Sequence, residues 1–349
     1  MIIACDSNKK YVRADEANKR NNYFYPGCHE KVILKNGEVK QKHFSHCAGA
    51  ACVTFTENES MQHLSGKLQL ASKLQYYGDV QIEAVLPEIQ KRPDILLIHN
   101  HKRIAIEYQC SPISQKKLDM RNKGYFAENI HVIWILGQTY FNRTMTQGTI
   151  MKFMADNALV FYLPNKQYFV HRQHFRKPDF SRVLFVDKID TTLFNAKVSK
   201  QRTRLNIPKQ RTRLNIPKQI YKLQSLILQK RVDPKLVDYL YKKNRLLMDV
   251  PVWVHGGNTF GLKVPNWYWR LITILFLEKI GQQNVVKKAE LTVKLIPFLL
   301  GDNTFKRQQI AELYHDLEVH DYILQQENYI LVRHLPQWKN ARQQSIVKI

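Results

Sequence analysis

Between Glu59 and Tyr77, Met61, Leu64, Leu68, Ala71 and Leu74 recur at helical spacing, which predicts an amphipathic helix with one buried stripe. After Gly78 the period shortens. Val80 to Leu86, Asp94 to Ile98 and Ile104 to Gln109 are short β-branched or apolar runs divided by turn-like segments, and they predict a three-stranded meander. Ser111-Pro112 ends the third run, and Ser114 offers an N-cap for a polar helix ending near Asn129. Ile130 to Leu136 is almost wholly apolar, the pattern of a strand buried on both faces. The predicted order is helix, three strands, helix, strand.

On the N-terminal side, Lys31 to Lys40 predicts a hairpin with Asn36-Gly37 supplying positive φ at its turn. On the C-terminal side, Leu159 to Leu163 and Tyr168 to His171 suggest another hairpin, and from Ile220 onward helices dominate. Asp233-Pro234 is an N-cap and N1 pair, and Leu291 to Leu300 is an apolar helical stretch. Residues 202–210 and 211–219 repeat one nine-residue sequence, too short for a solenoid unit. A duplication within a basic linker explains it better than a phosphate-binding tether. The expected organisation is therefore a small β-rich domain over 1–56, an α/β core over 57–150, a hairpin and basic linker over 151–219, and a helical domain over 220–349.

Charge changes this picture from fold to partner. The 349 residues hold 54 Lys plus Arg against 29 Asp plus Glu, a formal net charge of +25. Such a field concentrates polyanions, and counterion release from nucleic acid would supply much of the binding free energy. An anionic membrane surface is the competing partner. Membrane insertion is not expected, because the most apolar windows, such as Trp269 to Leu277, are short and interrupted. No secretory signal pattern opens the chain. Five cysteines, four of them in the first 52 residues, point away from a disulfide framework and toward a reducing, cytoplasmic setting.

The strongest chemical constellation is Arg92-Pro93-Asp94 followed by Glu107-Tyr108-Gln109-Cys110-Ser111. Strand alternation puts Ala105, Glu107 and Gln109 on one face, with Arg103 in the same parity. An antiparallel pairing brings Asp94 beside Glu107, and two converging carboxylates suit Mg²⁺ or Mn²⁺. A metal there would polarise a phosphate and activate water. The alternative is that each carboxylate is neutralised by its own base. Glu59, His63 and Lys67 lie four apart along one side of the first helix, where Glu59 could complete a metal shell and His63 and Lys67 meet phosphate; an exposed ion-pair face is the equal alternative. Lys116, Lys117 and Arg121 suit phosphate contact, and Tyr125 and Trp134 suit packing.

This core resembles the PD-(D/E)xK nuclease superfamily in element order and residue type. The resemblance implies metal binding by Asp94 and Glu107, a helix carboxylate at Glu59, and Gln109 where a Lys is usual. Gln orients water but brings no charge, so Arg92, Arg103 or Lys67 would have to supply it. Glu59-Ser60-x-x-His63-Leu64-x-x-Lys67, Arg92-Pro93-Asp94, Glu107-x-Gln109-Cys110-Ser111, Arg121-x-x-x-Tyr125 and Trp134 together resemble the competence protein CoiA family. Tyr25-Pro26-x-Cys28 and His43-Phe44-x-His46 are similar to that family's first domain. There the resemblance implies a zinc knuckle; Tyr25 replaces its first Cys, leaving Cys28, His43 and His46 as ligands, with Cys47 or Cys52 as a fourth.

The expectation is thus an α+β chain with an α-β-β-β-α-β nuclease-like core. The family implies action on incoming, single-stranded DNA in natural transformation, in concert with RecA. Two functions stay open: a Mg²⁺-dependent deoxyribonuclease, or a DNA-binding recombination accessory that does not cut. A defence nuclease outside competence fits the core but not the N-terminal motif.

Overall fold

The fold comes from a computed structural model that describes residues 1–8, 10–26, 28–37, 42–47, 60–194 and 216–338. Glu59 and Cys52 lie outside these residues, as does the repeat from 202 to 215. The chain divides into two compact units. One takes Met1–Thr144, Lys152–Gln173 and Asp187–Gln201; the other takes Met145–Met151, His174–Val186 and Arg202–Ile349.

The first unit opens with five short strands: β1 (Ile3–Cys5), β2 (Tyr11–Arg13), β3 (Tyr23–Phe24), β4 (Lys31–Lys35) and β5 (His43–His46). They form one sheet in the order β2-β1-β3-β4-β5. Ala4, Ala14, Tyr23, Tyr25, Val32 and Phe44 pack into its core. The predicted hairpin is longer than Asn36-Gly37 suggests. The strand that pairs with β4 is His43–His46, from Lys35↔His43 to Val32↔His46. This register sets Phe44 beside Leu34 on the buried face, and that apolar alignment outweighs the local turn signal. The expected second arm, 38–40, lies outside the described residues.

Next come α1 (Met61–Leu74), β6 (Asp79–Ile82), β7 (Ile95–His99), β8 (Lys102–Gln109), α2 (Gln115–Ala127) and β9 (His131–Leu136), in the order expected. The Ser60 and Ser114 hydroxyls cap α1 and α2, accepting from the backbone N–H of His63 and Lys117. After α3 (Gln138–Asn142) and α4 (Gln147–Phe153), β10 (Ala158–Leu163), β11 (Tyr168–Arg176) and β12 (Leu184–Asp190) extend the sheet. Its order is β12-β11-β10-β9-β8-β7-β6. β6, β7 and β8 are antiparallel, and β8 runs parallel to β9.

Alternation along β7 and β8 decides what each face meets. Ile95, Leu97, Ile106 and Tyr108 pack with Leu70, Ala71 and Leu74 of α1. Leu96 and Ala105 point the other way and pack with Tyr125 of α2 and Ile130. β9 lies between β8 and β10, and its Trp134, Ile135 and Leu136 are buried.

The second unit contains α5 (Ile216–Leu228), α6 (Pro234–Tyr241), α7 (Val252–His255), α8 (Asn266–Ile280), β13 (Val285–Lys287), α9 (Lys288–Leu295), α10 (Asn303–Val319), β14 (Ile323–Gln325) and β15 (Tyr329–Val332). Its largest cluster centres on α8, where Trp269, Leu271, Ile274 and Leu277 are fully buried. Asp233 caps α6 and Pro234 opens it, as expected. A three-stranded sheet, β13-β15-β14, accompanies the helices, which the helical reading did not include. The last four repeat residues, 216–219, begin α5. Among the described residues, no helix is long and apolar enough to cross a membrane. The chain is α+β.

Candidate functional site

Asp94 sits where β7 and β8 stop pairing: the ladder ends at Ile95↔Ile106. Beyond it the Asp94 carboxylate takes over, accepting the Tyr108 backbone N–H through Oδ2 at 2.9 Å. Helix α1 reaches the same group from one face. His63 Nε2 lies 3.1 Å from Oδ2, and Lys67 Nζ lies 3.3 Å from Oδ1. The His63 ring stacks on Tyr108 with centroids 5.7 Å apart.

Lys67 is the surprise of this helix. Sequence periodicity places it beside the apolar stripe on a polar face, yet its side chain is 0% exposed. A buried ammonium needs compensation. Glu83 supplies it, with Oε1 at 2.7 Å from Nζ. Glu83 is itself buried and accepts the backbone N–H of Ile2 at 3.2 Å and of Ile3 at 3.3 Å. Arg92 Nη1 approaches Glu83 Oε2 at 3.3 Å, and its guanidinium lies 4.9 Å from the Tyr25 ring centroid. Glu83 was not singled out in the sequence. The signal available was a lone carboxylate in an apolar run, and its φ of 54° was not legible.

Glu107 lies on β8 and meets α2. Arg121 donates to Oε1 through Nε at 3.1 Å and Nη2 at 2.8 Å, and to Oε2 through Nη2 at 2.7 Å. The Tyr125 hydroxyl donates to Oε1 as well. Burial raises the pKa of Glu107; Arg121 opposes that rise and nearby Asp94 adds to it. Burial also works against the Arg121 charge, but Glu107, Tyr125 and Asp94 outweigh it and hold its pKa above the ordinary value. Burial beside Glu107 lifts the Tyr125 phenol too, so it stays a donor.

The remaining residues fall into different surroundings. Gln109 turns its amide to the Ser111 carbonyl at 2.7 Å. Arg103 pairs with Glu88 at 3.1 Å and with Glu128 at 3.5 Å. Of the three bases that could replace a Lys at position 109, Lys67 lies beside Asp94. Lys117 is exposed on α2, one turn before Arg121. Burial pushes the Cys110 thiol up to about 12, so it is unreactive near neutrality.

The carboxylates on these adjacent strands have the hard oxygen chemistry of a divalent-cation site. Their surroundings, as arranged, do not fit a resident ion. Each Asp94 oxygen faces Lys67 or His63, and each Glu107 oxygen faces Arg121. A cation entering here would meet protein cations at both ligands.

A second cluster lies in the N-terminal sheet. Ligand atoms of Cys28, Glu30 and His46 all lie within 4.8 Å of one another, and Cys28 Sγ is 3.3 Å from His46 Nε2. These three could hold a metal ion. The expected ligand His43 does not join them. It is three residues from His46 along one strand, so alternation sends it to the opposite face. Cys47 is exposed and also stands outside the group. Glu30 was missed in the sequence because a carboxylate does not belong to the knuckle pattern; the turn at His29, with φ 57°, brings it toward Cys28. Tyr25 packs edge-on to His46 at 4.9 Å.

Comparison with known proteins matches residues 6–55 to the competence protein CoiA N-terminal domain and residues 59–194 to the competence protein CoiA nuclease-like domain. Competence protein CoiA of Bacillus subtilis (strain 168) is 31% identical over 165 residues, which take in 45% of this chain and 44% of that protein. No solved structure matches. Two domain models and a relative therefore agree with the constellations around Asp94, Glu107 and Cys28: over residues 6–55 and 59–194 the chain matches the N-terminal and nuclease-like domains of competence protein CoiA, and it spans less than half the length of the curated relative it resembles.

Proposed function

We propose that this chain binds DNA entering a naturally transformable cell, single-stranded DNA foremost, and serves its recombination from the cytoplasm alongside a recombinase of the RecA type. The net charge of +25 supplies the attraction for a polyanion, and the family supplies the setting. In this reading the core is a PD-(D/E)xK-type scaffold that grips DNA without cutting it in its resting arrangement. The observation that carries this form is the pairing of Asp94 with Lys67 and His63, and of Glu107 with Arg121.

A cutting enzyme is the second reading, and one observation favours it. Lys67 brings to Asp94 the positive charge that Gln109 lacks. Asp94, Glu107 and Lys67 would then form the centre, with Gln109 aiding water placement.

The test incubates the full chain with labelled single- and double-stranded DNA, with and without Mg²⁺ or Mn²⁺, beside an Asp94→Ala/Glu107→Ala variant. The proposal expects binding by both proteins and cleavage by neither. Metal-dependent cleavage that disappears in the variant establishes the second reading, and absence of binding removes both.

A further inference from the structure

Residues 266–332 of the second unit run α8, β13, α9, α10, β14, β15, and neither domain match reaches them. β15 lies between the other two strands and is antiparallel to both. Its Ile330 and Val332 enter one core with Leu277 of α8, Leu291 of α9 and Leu313 of α10. Tyr314 ties α10 to α9: its hydroxyl donates to the Lys288 carbonyl at 3.0 Å and lies 2.8 Å from the Thr292 hydroxyl. Three helices closed by a sheet whose first strand pairs with its last, the last two forming a hairpin, make a winged-helix topology. Here α9 and α10 are the helix pair and β14–β15 the wing. In such a pair the second helix enters the major groove of DNA by its N-terminal residues.

Helical spacing puts Thr304, Arg307, Gln308, Ala311 and His315 of α10 on one face, and all five are exposed. Asp302 caps the helix by accepting the Phe305 N–H at 2.8 Å. From Asn303 to Ile310 the helix carries Lys306 and Arg307 and no acid. Two acids of its other half are already engaged within the unit. Asp316 accepts from Trp253 at 3.0 Å and pairs with Arg270 at 2.8 Å, and Glu318 accepts from the Gln325 backbone and amide at 2.9 Å. Glu312 stays beside Gln308, 3.3 Å from its amide. The exposed face is therefore positive at its N-terminal end, which suits a polyanion.

Residue types choose between partners. Single strands are held on aromatic platforms, and a helix that docks into a protein groove offers large apolar anchors. Between Asn303 and His315 the exposed face holds no Phe, Tyr, Trp, Leu, Ile, Met or Val. Arg, Gln and Ala are the side chains that meet guanine, adenine and the thymine methyl in the major groove.

We propose that α10 is a recognition helix for duplex DNA: Arg307, Gln308 and Ala311 face base edges in the major groove, and the β14–β15 hairpin meets the adjoining backbone through Gln326 and Asn328 at its turn. This goes beyond the single-strand reading of the core and is tested separately from it.

Fluorescence anisotropy of the full chain, at one fixed salt concentration, compares a labelled mixed-sequence duplex with labelled oligothymidine. The variants are Arg307→Ala, Arg307→Ala/Gln308→Ala and Lys279→Ala, the last removing a charge exposed near the C-terminus of α8. Near-ultraviolet circular dichroism reports the fold of each. Arg307→Ala should weaken duplex binding by about fivefold or more, and the double variant further, with oligothymidine binding unchanged. Lys279→Ala should leave both affinities nearly as they were. Equal losses for Arg307→Ala and Lys279→Ala, or for duplex and oligothymidine, reduce the effect to bulk charge and overturn the recognition helix. Folded variants with unchanged duplex affinity overturn it too, and leave α10 to a protein partner. Should the variants not fold, amide hydrogen exchange of the unaltered protein decides: duplex should slow exchange across 303–312 and 325–329, and no slowing there overturns the proposal. An unaltered protein that ignores the duplex overturns it as well, while its oligothymidine binding still tests the function proposed above. Duplex binding without oligothymidine binding removes the single-strand reading and leaves α10 standing.

Discussion

Replacing Lys67 by Met keeps the length of the side chain and removes its charge, which makes it a direct probe of the buried network. The ammonium lies 2.7 Å from Glu83 and 3.3 Å from Asp94 with none of the side chain exposed. Taking one partner from a buried ion pair typically costs about 3–5 kcal/mol. Glu83 keeps Arg92 and the Ile2 and Ile3 N–H groups, and Asp94 keeps His63 and the Tyr108 N–H. These remaining partners place the loss at the lower end, about 3 kcal/mol. For a unit of this size that corresponds to a fall in melting temperature of roughly 6–12 °C. Urea unfolding followed by circular dichroism reads the loss directly. Adding Glu83→Gln should recover part of it, with a coupling energy of about 1–3 kcal/mol between the two positions. A Lys67→Met protein weakened by less than about 1 kcal/mol, the range of an exposed pair, refutes the reasoning. So would strictly additive single and double variants.

Other outcomes follow from the same geometry. A Cβ at Gly66 would lie 2.2 Å from the Tyr108 ring, so Gly66→Ala should destabilise by about 1–3 kcal/mol in a urea titration despite Ala's better helix propensity. In Co²⁺ titrations followed by absorbance, His46→Ala and Cys28→Ser should lose the thiolate-to-metal band while His43→Ala keeps it; equal loss in His43→Ala contradicts the ligand set. Burial lowers the pKa of His171, so its neutral form is favoured in the folded chain. That contribution to stability is fully present above the unfolded imidazole value of about 6.5 and falls as pH drops below it. His171→Gln should flatten the slope of denaturation midpoint against pH in that window, and an unchanged slope counts against it.

The order of α1, β6, β7, β8, α2 and β9 was legible because each element carries its own period and its own boundary residue. Ser60 and Ser114 are caps in the structure for the reason they read as caps, a hydroxyl placed three residues before an unsatisfied N–H. Elements whose partner lies far away were less legible. The register of β4 with β5 depends on Phe44 reaching the core, which no window around Asn36-Gly37 contains. At the site, the sequence brought Asp94 and Glu107 to neighbouring strands, since strand alternation is local. It did not reveal which bases face them. Lys67 looks like a surface residue because helical periodicity ranks polarity, whereas its burial follows from Glu83, sixteen positions later. Arg121 read as a phosphate contact, and its hold on Glu107 comes from α2 covering the face opposite α1. Glu30 joined Cys28 and His46 through a turn rather than a motif.

The claim that this chain works by gripping a polyanion is tested most directly by its affinity for a single-stranded oligonucleotide across a range of salt concentrations. A straight fall of log affinity against log salt is predicted, with about 0.7 of slope for each phosphate contacted. Lys117→Ala and Arg121→Ala should each flatten it by about that amount. Binding that ignores salt, or a slope that both substitutions leave untouched, would contradict the account.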